Sequence, residues 1–349
     1  MNMKSQAETR EVPARSAIQP GAVARTVLIS VNPKAGARAR HDRVLGIEQA
    51  LAAGGYDVRT TTALDELGAW AAAAWGEGRL RAVVSVGGDG TASLVRSRVP
   101  LEVPLLALPL GTENLLARYV RQSSEPAAVC RTLDEGVTIE LDLGRAGDRY
   151  FLLMFSAGFD AEVIRRLHKN RRGNITRLSY YWPTLGTIHG YGYPTMQLYC
   201  RDAASDRGAR IEDGAEQSDG APLECRWLFG FNLPLYALGI PVAPDAVGTD
   251  GLLDMVAFKR GGMPSVARYL WHVLRGSHGR LDDAALMRCR RFRLESSGAA
   301  NVAYQLDGDF AGTLPVEIDV LPGQLRLFVS RETAGRLGFV TSPSGRGRE

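Results

Sequence analysis

The chain has 349 residues, which at about 150 residues per domain points to two domains, each long enough to bury a core of its own. With 45% hydrophobic and 23% charged residues, it fits neither a disordered polypeptide nor a membrane-embedded one. Its 42 basic against 38 acidic residues leave +4, too small a surplus to indicate a nucleic-acid partner, so any basic surface must be local. Cys130, Cys200, Cys225 and Cys289 stand far apart in sequence, with no CxxC pair, and imply neither a disulfide frame nor a zinc site. Residues 1–24 lack the apolar core of a signal peptide and read as disordered, and no apolar run of about 18 residues occurs, so the expected location is cytoplasmic.

From Thr26 strands and helices alternate. TVLISV reads as a strand, His41 to Ala53 as a helix, YDVRTT as a strand, Asp65 to Trp75 as an Ala-rich helix and RAVVSV as a strand. Strands separated by helices imply right-handed βαβ crossovers and a parallel sheet. Pro104 to Leu108 adds a strand, PLGTEN a turn, a helix begins near Asn114, and Glu125 to Glu135 forms another helix. Residues 25–136 are therefore expected to be a doubly wound α/β nucleotide domain. After Gly136 come VTIELDLG, RYFLLMFSAG, TMQLYC, ECRWLFGFN, LLDMVAF, RCRRFRLES, VAYQLDG and LPVEIDV, closely spaced strands that predict an antiparallel β-sandwich over 137–330. The last of its strands has room to return to the first domain. Helical stretches are expected near Asp160 to Ile188 and over Pro264 to Arg275; the second is amphipathic and a second candidate for membrane contact, with packing on the sandwich the reading weighed above it. Residues 201–222 read as a mobile insertion and 331–349 as a loose tail.

The strongest chemical signal is VVSVGGDGT, a β-branched strand running into Gly87, Gly88, Asp89, Gly90 and Thr91 before a helix. Glycines let backbone N–H groups approach phosphate oxygens, and the helix N-terminus adds positive potential. A carboxylate there repels phosphate unless a cation lies between, so Asp89 suits Mg²⁺, or a water on Mg²⁺, better than the nucleotide itself. An ordinary tight βα turn uses the same residues. Two more polar turns, Asn32 to Gly36 and Pro109 to Asn114, end strands on the same edge of an open parallel sheet, where ligands bind. GxxxxGK[ST], GxGxxG, HExxH and GxSxG are absent, which removes support for P-loop kinases, classical dinucleotide enzymes, zincins and α/β-hydrolases.

NPKAG at 32–36, GGDGT at 87–91, PLGTEN at 109–114, DGLLD at 250–254 and LDGD at 306–309, in this order and spacing, resemble the diacylglycerol kinase catalytic family, which includes sphingosine kinases and bacterial lipid kinases. GGDGT alone is shared with NAD kinases. The resemblance implies an α/β nucleotide domain followed by a β-sandwich, with ATP and a lipid substrate between them. It implies ATP contacts from Asn32, Gly87 to Thr91, Gly111, Thr112 and Asn114, with Thr61 a further candidate beside Thr60 and Thr62. A structural Mg²⁺ would be held by Asp250 and the main-chain oxygens of Val247 and Leu252, and an Asp-capped turn is the alternative there. The family's DGE becomes Asp307, Gly308 and Asp309. The last carboxylate is implied to accept the proton of the substrate hydroxyl, with Asp307 in support and a plain Asp-Gly hairpin as the bland alternative.

Several positions depart from the family pattern. Ala92, Ser93 and Leu94 replace an expected Asn-Glu, Leu115 follows Asn114 where many members carry Asp, and Asp309 is one methylene shorter than Glu. The implied activity is ATP-dependent transfer of a phosphoryl group to a lipid hydroxyl. A soluble-acceptor kinase of the NAD kinase type and a degenerate nucleotide- or lipid-binding protein are the alternatives. Arg165, Arg166, Lys169, Arg171, Arg172 and Arg177, followed by Tyr180, Tyr181 and Trp182, suit peripheral docking on the anionic inner face of the membrane. A solvated helix face with an aromatic core contact is the other reading. No nucleic-acid partner is expected, and homodimer formation is left open.

Overall fold

The computed structural model describes residues 15–18, 24–32, 38–169, 190–204 and 222–341. The first half alternates strands and helices: β2 (Thr26–Val31), α1 (Arg38–Ala53), β3 (Asp57–Thr61), α2 (Leu64–Gly76), β4 (Leu80–Gly87), α3 (Asp89–Arg96) and β5 (Leu105–Pro109), then α4 (Leu115–Tyr119) and α5 (Pro126–Glu135). β1 (Arg15–Ser16) precedes them. The strands run parallel in the order β5-β4-β2-β3. Every residue of β4, LRAVVSVG, is buried, as expected of a strand covered by helices on both faces. The register Ser30↔Thr61, Ser30↔Ser85 and Ser85↔Ala107 brings the strand ends, and hence the three polar turns, to one edge.

The second half is a β-sandwich built from β6 (Val137–Ala146), β7 (Arg149–Phe151), β8 (Met154–Gly158), β9 (Met196–Ala204), β10 (Leu223–Cys225), β11 (Trp227–Phe231), β12 (Leu253–Phe258), β13 (Ala284–Ser296), β14 (Ala303–Leu306), β15 (Asp309–Thr313) and β16 (Val316–Val329). Helix α6 (Phe159–Lys169) follows β8, and α7 (Met263–Leu274) follows β12. Phe155, Phe292, Met255, Leu294 and Ile318 fill the interior, with Phe155 and Phe292 edge-to-face at 5.5 Å. β16 joins the halves. It pairs with β13 and β6 in antiparallel fashion, then lies parallel to β5 through Leu327↔Leu105. Gly136, between α5 and β6, sits where a Cβ would fall inside contact distance of two backbone carbonyls, Thr132 O and Val329 O, so only glycine lets the chain pass that close to β16.

Three expectations are corrected. The tail after residue 330 is not loose up to residue 340: α8 (Arg331–Arg336) is capped by Ser330 Oγ, which accepts from Thr333 N at 3.2 Å, and Thr333 Oγ1 donates to Val120 O at 2.9 Å. The polar composition concealed that Thr333, Ala334 and Phe339 are buried. Nor is all of 1–24 disordered, because β1 pairs in parallel with β17 (Phe339–Val340), and Ile18 bridges Thr138. The insertion assigned to 201–222 begins later, since β9 continues along β13 to Ala204; residues 205–221 lie outside the described residues. So does the expected helix beyond Lys169, up to residue 189.

Helix α3, which carries the glycine-rich motif at its start, is pinned at its other end by Arg96. This guanidinium is fully buried, and it donates to Val99 O and Val103 O at 2.9 Å each, to Leu101 O at 3.3 Å, and to Pro100 O. Arg96→Ala removes donors from four carbonyls and opens a cavity, so a loss on the order of 3 kcal/mol or more is expected. Urea unfolding would show it as a lowered midpoint at unchanged slope.

Candidate active site

β4 delivers Gly87 and the extended Gly88 to the start of α3. Asn32, at the end of β2, donates from Nδ2 to Thr91 Oγ1 at 3.0 Å, and Leu110 N donates to Gly87 O at 3.2 Å. Both other strand-end turns therefore touch the glycine loop. Gly88 and Gly111 meet backbone to backbone, and a Cβ on Gly111 would lie under 3.0 Å from Gly88 N and Cα. Asn114 adopts φ 53° and closes its own turn, Oδ1 accepting from Gly111 N at 2.6 Å and Nδ2 donating to Gly111 O at 3.0 Å. Asn114 thus shapes the PLGTEN turn.

Asp89 is committed to structure more than its motif position implied. Its Oδ2 accepts from Leu115 N at 2.9 Å and its Oδ1 from Leu116 N at 2.8 Å, capping α4 from a different turn. Burial raises its carboxyl above the usual range, with the charge of Glu113 adding to the rise, while the amide donors oppose it. Its own backbone amide bonds to it as well, so three amides share the two oxygens and a lone pair is left that can accept from a water.

The terminal motif folds as the β14–β15 hairpin, with Asp307 at φ 51° and Gly308 at φ 85°. Asp307 accepts from Leu152 N at 2.7 Å, Leu153 N at 2.8 Å and Met154 N at 3.0 Å, clamping the entry to β8. Burial pushes its carboxyl up to about 7, against the pull of these amides and with the charge of Asp89 adding to the rise. Asp307 is thus engaged by the backbone at the entry to β8. Asp309 lies directly over the first turn of α3: a Cβ on Gly90 would fall under 3.0 Å from its Oδ2. The sandwich hairpin and the glycine loop of the α/β half thus meet at Asp309 and Gly90.

Sequence reasoning missed the residues that hold this hairpin. Gln305 accepts from Gly308 N at 2.7 Å and donates to Ser156 Oγ at 2.9 Å and Asp160 Oδ2 at 3.3 Å. Asp160 also accepts from Ser156 at 2.5 Å and from the Tyr236 hydroxyl, and burial raises its carboxyl. The signal available was a carboxylate at the β8–α6 junction, in FSAGFD, where an apolar strand meets a helix start.

The remaining candidates have these surroundings. Thr61, at the end of edge strand β3, uses its hydroxyl locally, donating to Glu66 Oε2 at 2.5 Å and accepting from Ala63 N at 3.0 Å. Thr112 is exposed on the PLGTEN turn. Asp250 forms the Asp-capped turn, its Oδ1 accepting from Leu252 N at 3.1 Å. Arg15 Nη2 donates to Thr249 O in the same turn at 2.5 Å, and the buried Asp142 accepts from Gly251 N at 2.6 Å and Gly323 N at 2.9 Å. The turn's donors, a carboxylate and main-chain oxygens, are of the hard type a divalent cation takes. Of the basic-aromatic segment, Arg165 and Arg166 pair with Glu162 at 2.6 and 2.8 Å, whereas Arg171, Arg172, Arg177, Tyr180, Tyr181 and Trp182 lie outside the described residues.

The model of the diacylglycerol kinase catalytic domain matches residues 26–146, and that of the YegS C-terminal NAD kinase beta sandwich-like domain matches 154–329. The chain belongs to the bacterial diacylglycerol kinase-like lipid kinase family. It is 28% identical over 259 residues to a diacylglycerol kinase of Mycobacterium tuberculosis, covering 72% of this chain and 77% of that protein. A diacylglycerol kinase of Bacillus subtilis is 24% identical over 317 residues, 88% of this chain and 98% of the other. The crystal structure of a diacylglycerol kinase from Bacillus anthracis superposes with a TM-score of 0.58 at 16% identity, covering 88% and 98% of the two chains, which shows the shared fold. Kinase membership agrees with a glycine loop and a carboxylate brought together from two halves.

Two glycine substitutions separate the parts of this site. Gly111→Ala forces the PLGTEN turn off Gly88 and is expected to weaken ATP binding, read by calorimetry. Gly90→Ala displaces the Asp309 carboxylate and is expected to lower turnover far more than ATP affinity. Equal loss of ATP affinity in both variants would contradict this division.

Proposed function

We propose that the protein transfers the γ-phosphoryl group of ATP to the hydroxyl of a lipid alcohol, such as diacylglycerol or a sphingoid base. The observation that carries the reading is the placement of the Asp309 carboxylate against Gly90, at the N-terminus of α3. Phosphate oxygens belong at that helix start, beside the backbone of Gly88 to Gly90, where the helix dipole favours negative charge. Asn32 orients Thr91, and Gly111 lets the second turn close on the loop.

In this reading Asp309 accepts the proton of the alcohol as its oxygen attacks the γ-phosphorus, giving a lipid phosphate monoester and ADP. The bare Cα of Gly90 lets the carboxylate come close, which compensates for its being one methylene shorter than Glu. Asp307 fixes the hairpin through its three backbone bonds. Asp89, with a lone pair left for a water, is suited to an outer-sphere position beside Mg²⁺, which supplies charge neutralisation of the triphosphate when bound. Asp250, with the carbonyls of Val247 and Leu252, fits a second, structural cation.

Purified protein with γ-labelled ATP and Mg²⁺ is expected to label a lipid in mixed micelles. A broad lipid panel left unlabelled, or labelling of NAD in its place, defeats the reading. Asp309→Asn should keep ATP affinity and lose about 10²–10⁴-fold in kcat. Asp307→Asn should instead lower the melting temperature, because an amide nitrogen would face one of the three backbone donors. For the structural cation, saturating Mg²⁺ after chelation should raise the melting temperature by a few degrees, and Asp250→Ala should abolish that rise. An equal rise in the Asp250→Ala variant removes the metal from this turn.

A further inference from the structure

Helix α7 presents two apolar faces. Val266, Tyr269 and Val273 are buried, and Tyr269 stacks on Phe258 at 4.3 Å and meets Trp227 edge-on at 5.8 Å. Met263, Ala267, Leu270, Trp271 and Leu274 recur at helical spacing along a second stripe, which faces solvent. Its large side chains are 52% exposed at Met263, 44% at Leu270, 56% at Trp271 and 57% at Leu274. Core packing explains the first face and leaves the second unexplained. A contiguous apolar stripe of this kind marks a partner or a membrane.

Its surroundings identify the occupant. Arg275 lies over the Trp271 ring at 4.2 Å, and Arg268 flanks the stripe two turns earlier. Lys259, Arg260 and Arg280 are exposed on the adjoining segments. Arg268 and Arg260 share Asp283 at 2.8 and 3.1 Å, which with Asp282 leaves five basic side chains facing two acidic ones. Apolar side chains with an interfacial tryptophan and a rim of arginines match an anionic bilayer surface, where the chains enter the acyl boundary and the guanidinium groups meet phosphates. The helix is also continuous with the candidate site. Trp227 stacks on Phe159 at 4.9 Å, and the next residue, Asp160, belongs to the network that holds Gln305 and the Asp309 hairpin.

We propose that the exposed stripe of α7 docks the protein on an anionic lipid surface, with Met263, Leu270, Trp271 and Leu274 inserted and Arg260, Arg275 and Arg280 on headgroup phosphates. The lipid-kinase reading gives this contact its purpose, since the acceptor comes from a bilayer, but the binding test does not require turnover. The full-length protein is sedimented with phosphatidylcholine vesicles, with or without phosphatidylglycerol. The wild type should partition onto the anionic vesicles at least tenfold more strongly. Leu270→Ser with Leu274→Ser should remove most of that binding while leaving phosphorylation of a monomeric short-chain diacylglycerol unchanged. Arg275→Gln with Arg280→Gln should weaken binding several-fold, as added salt does for the wild type. Brominated lipids should quench tryptophan fluorescence in the wild type and much less in Trp271→Phe.

The proposal is overturned if the double serine variant binds vesicles like the wild type, or if the quenching is independent of Trp271. It is overturned equally if the wild type sediments as a dimer that the serine substitutions make monomeric, because the stripe then covers a second copy. Loss of vesicle binding in the serine variant, with no kinase activity in either protein, would uphold the docking surface and defeat only the kinase reading.

Discussion

The site depends on carboxylates that bond across to the backbone amides of a different turn. Asp89 holds the start of α4, Asp307 holds the entry to β8, and Asp142 holds the turns at Gly251 and Gly323. Charge-assisted bonds of this kind contribute about 1.5–3 kcal/mol each, whereas burial of the charge opposes them and lifts all three carboxyls above their usual range. The opposition sharpens the geometry. A buried carboxylate is tolerated only while its amides are in place, so the turns cannot drift without exposing an uncompensated charge.

The sequence made the order of elements in the α/β half legible because its signals are local. β4 is a buried, valine-rich run ending in glycines, and a strand followed by a helix occurs four times before Gly136. The glycine motif and the terminal LDGD were visible as residue types. Their meeting was not, because Gly90 and Asp309 are separated by most of the chain and nothing in either segment encodes the distance. For the same reason Asp89 and Asp307 looked like free chemical groups. Whether a carboxylate faces a ligand or a backbone amide is decided by the turn it meets, and those turns lie far off in sequence. Gln305 and Asp160 escaped notice because each is an ordinary polar residue until the fold sets it beside Ser156 and Tyr236.

Hydrophobic pattern reading was similarly incomplete at α7. Its periodicity correctly implied a helix with a face on the sandwich, but an apolar moment reports one direction, and the helix has two apolar stripes set at an angle. Arginine at the flank of the outer stripe gives the face a sign as well as a texture. The tail after residue 330 failed in the opposite sense, since a few buried residues, Thr333, Ala334 and Phe339, suffice to order a stretch that is polar on average.

Strand β16 carries a consequence for how this chain can be divided. Its last residues cover the flank of β5, so the parallel sheet of the first half is closed on that side by a strand that belongs in sequence to the second. A fragment ending at residue 136 would present β5 as a bare, unprotected edge with its backbone groups open to any other strand, and such edges recruit their own kind. The two halves are thus separable as folds on paper but not as soluble pieces. The return of β16 ties the nucleotide half to the second half of the chain, and the flank of β5 stays uncovered until residues Val316–Val329 are in place.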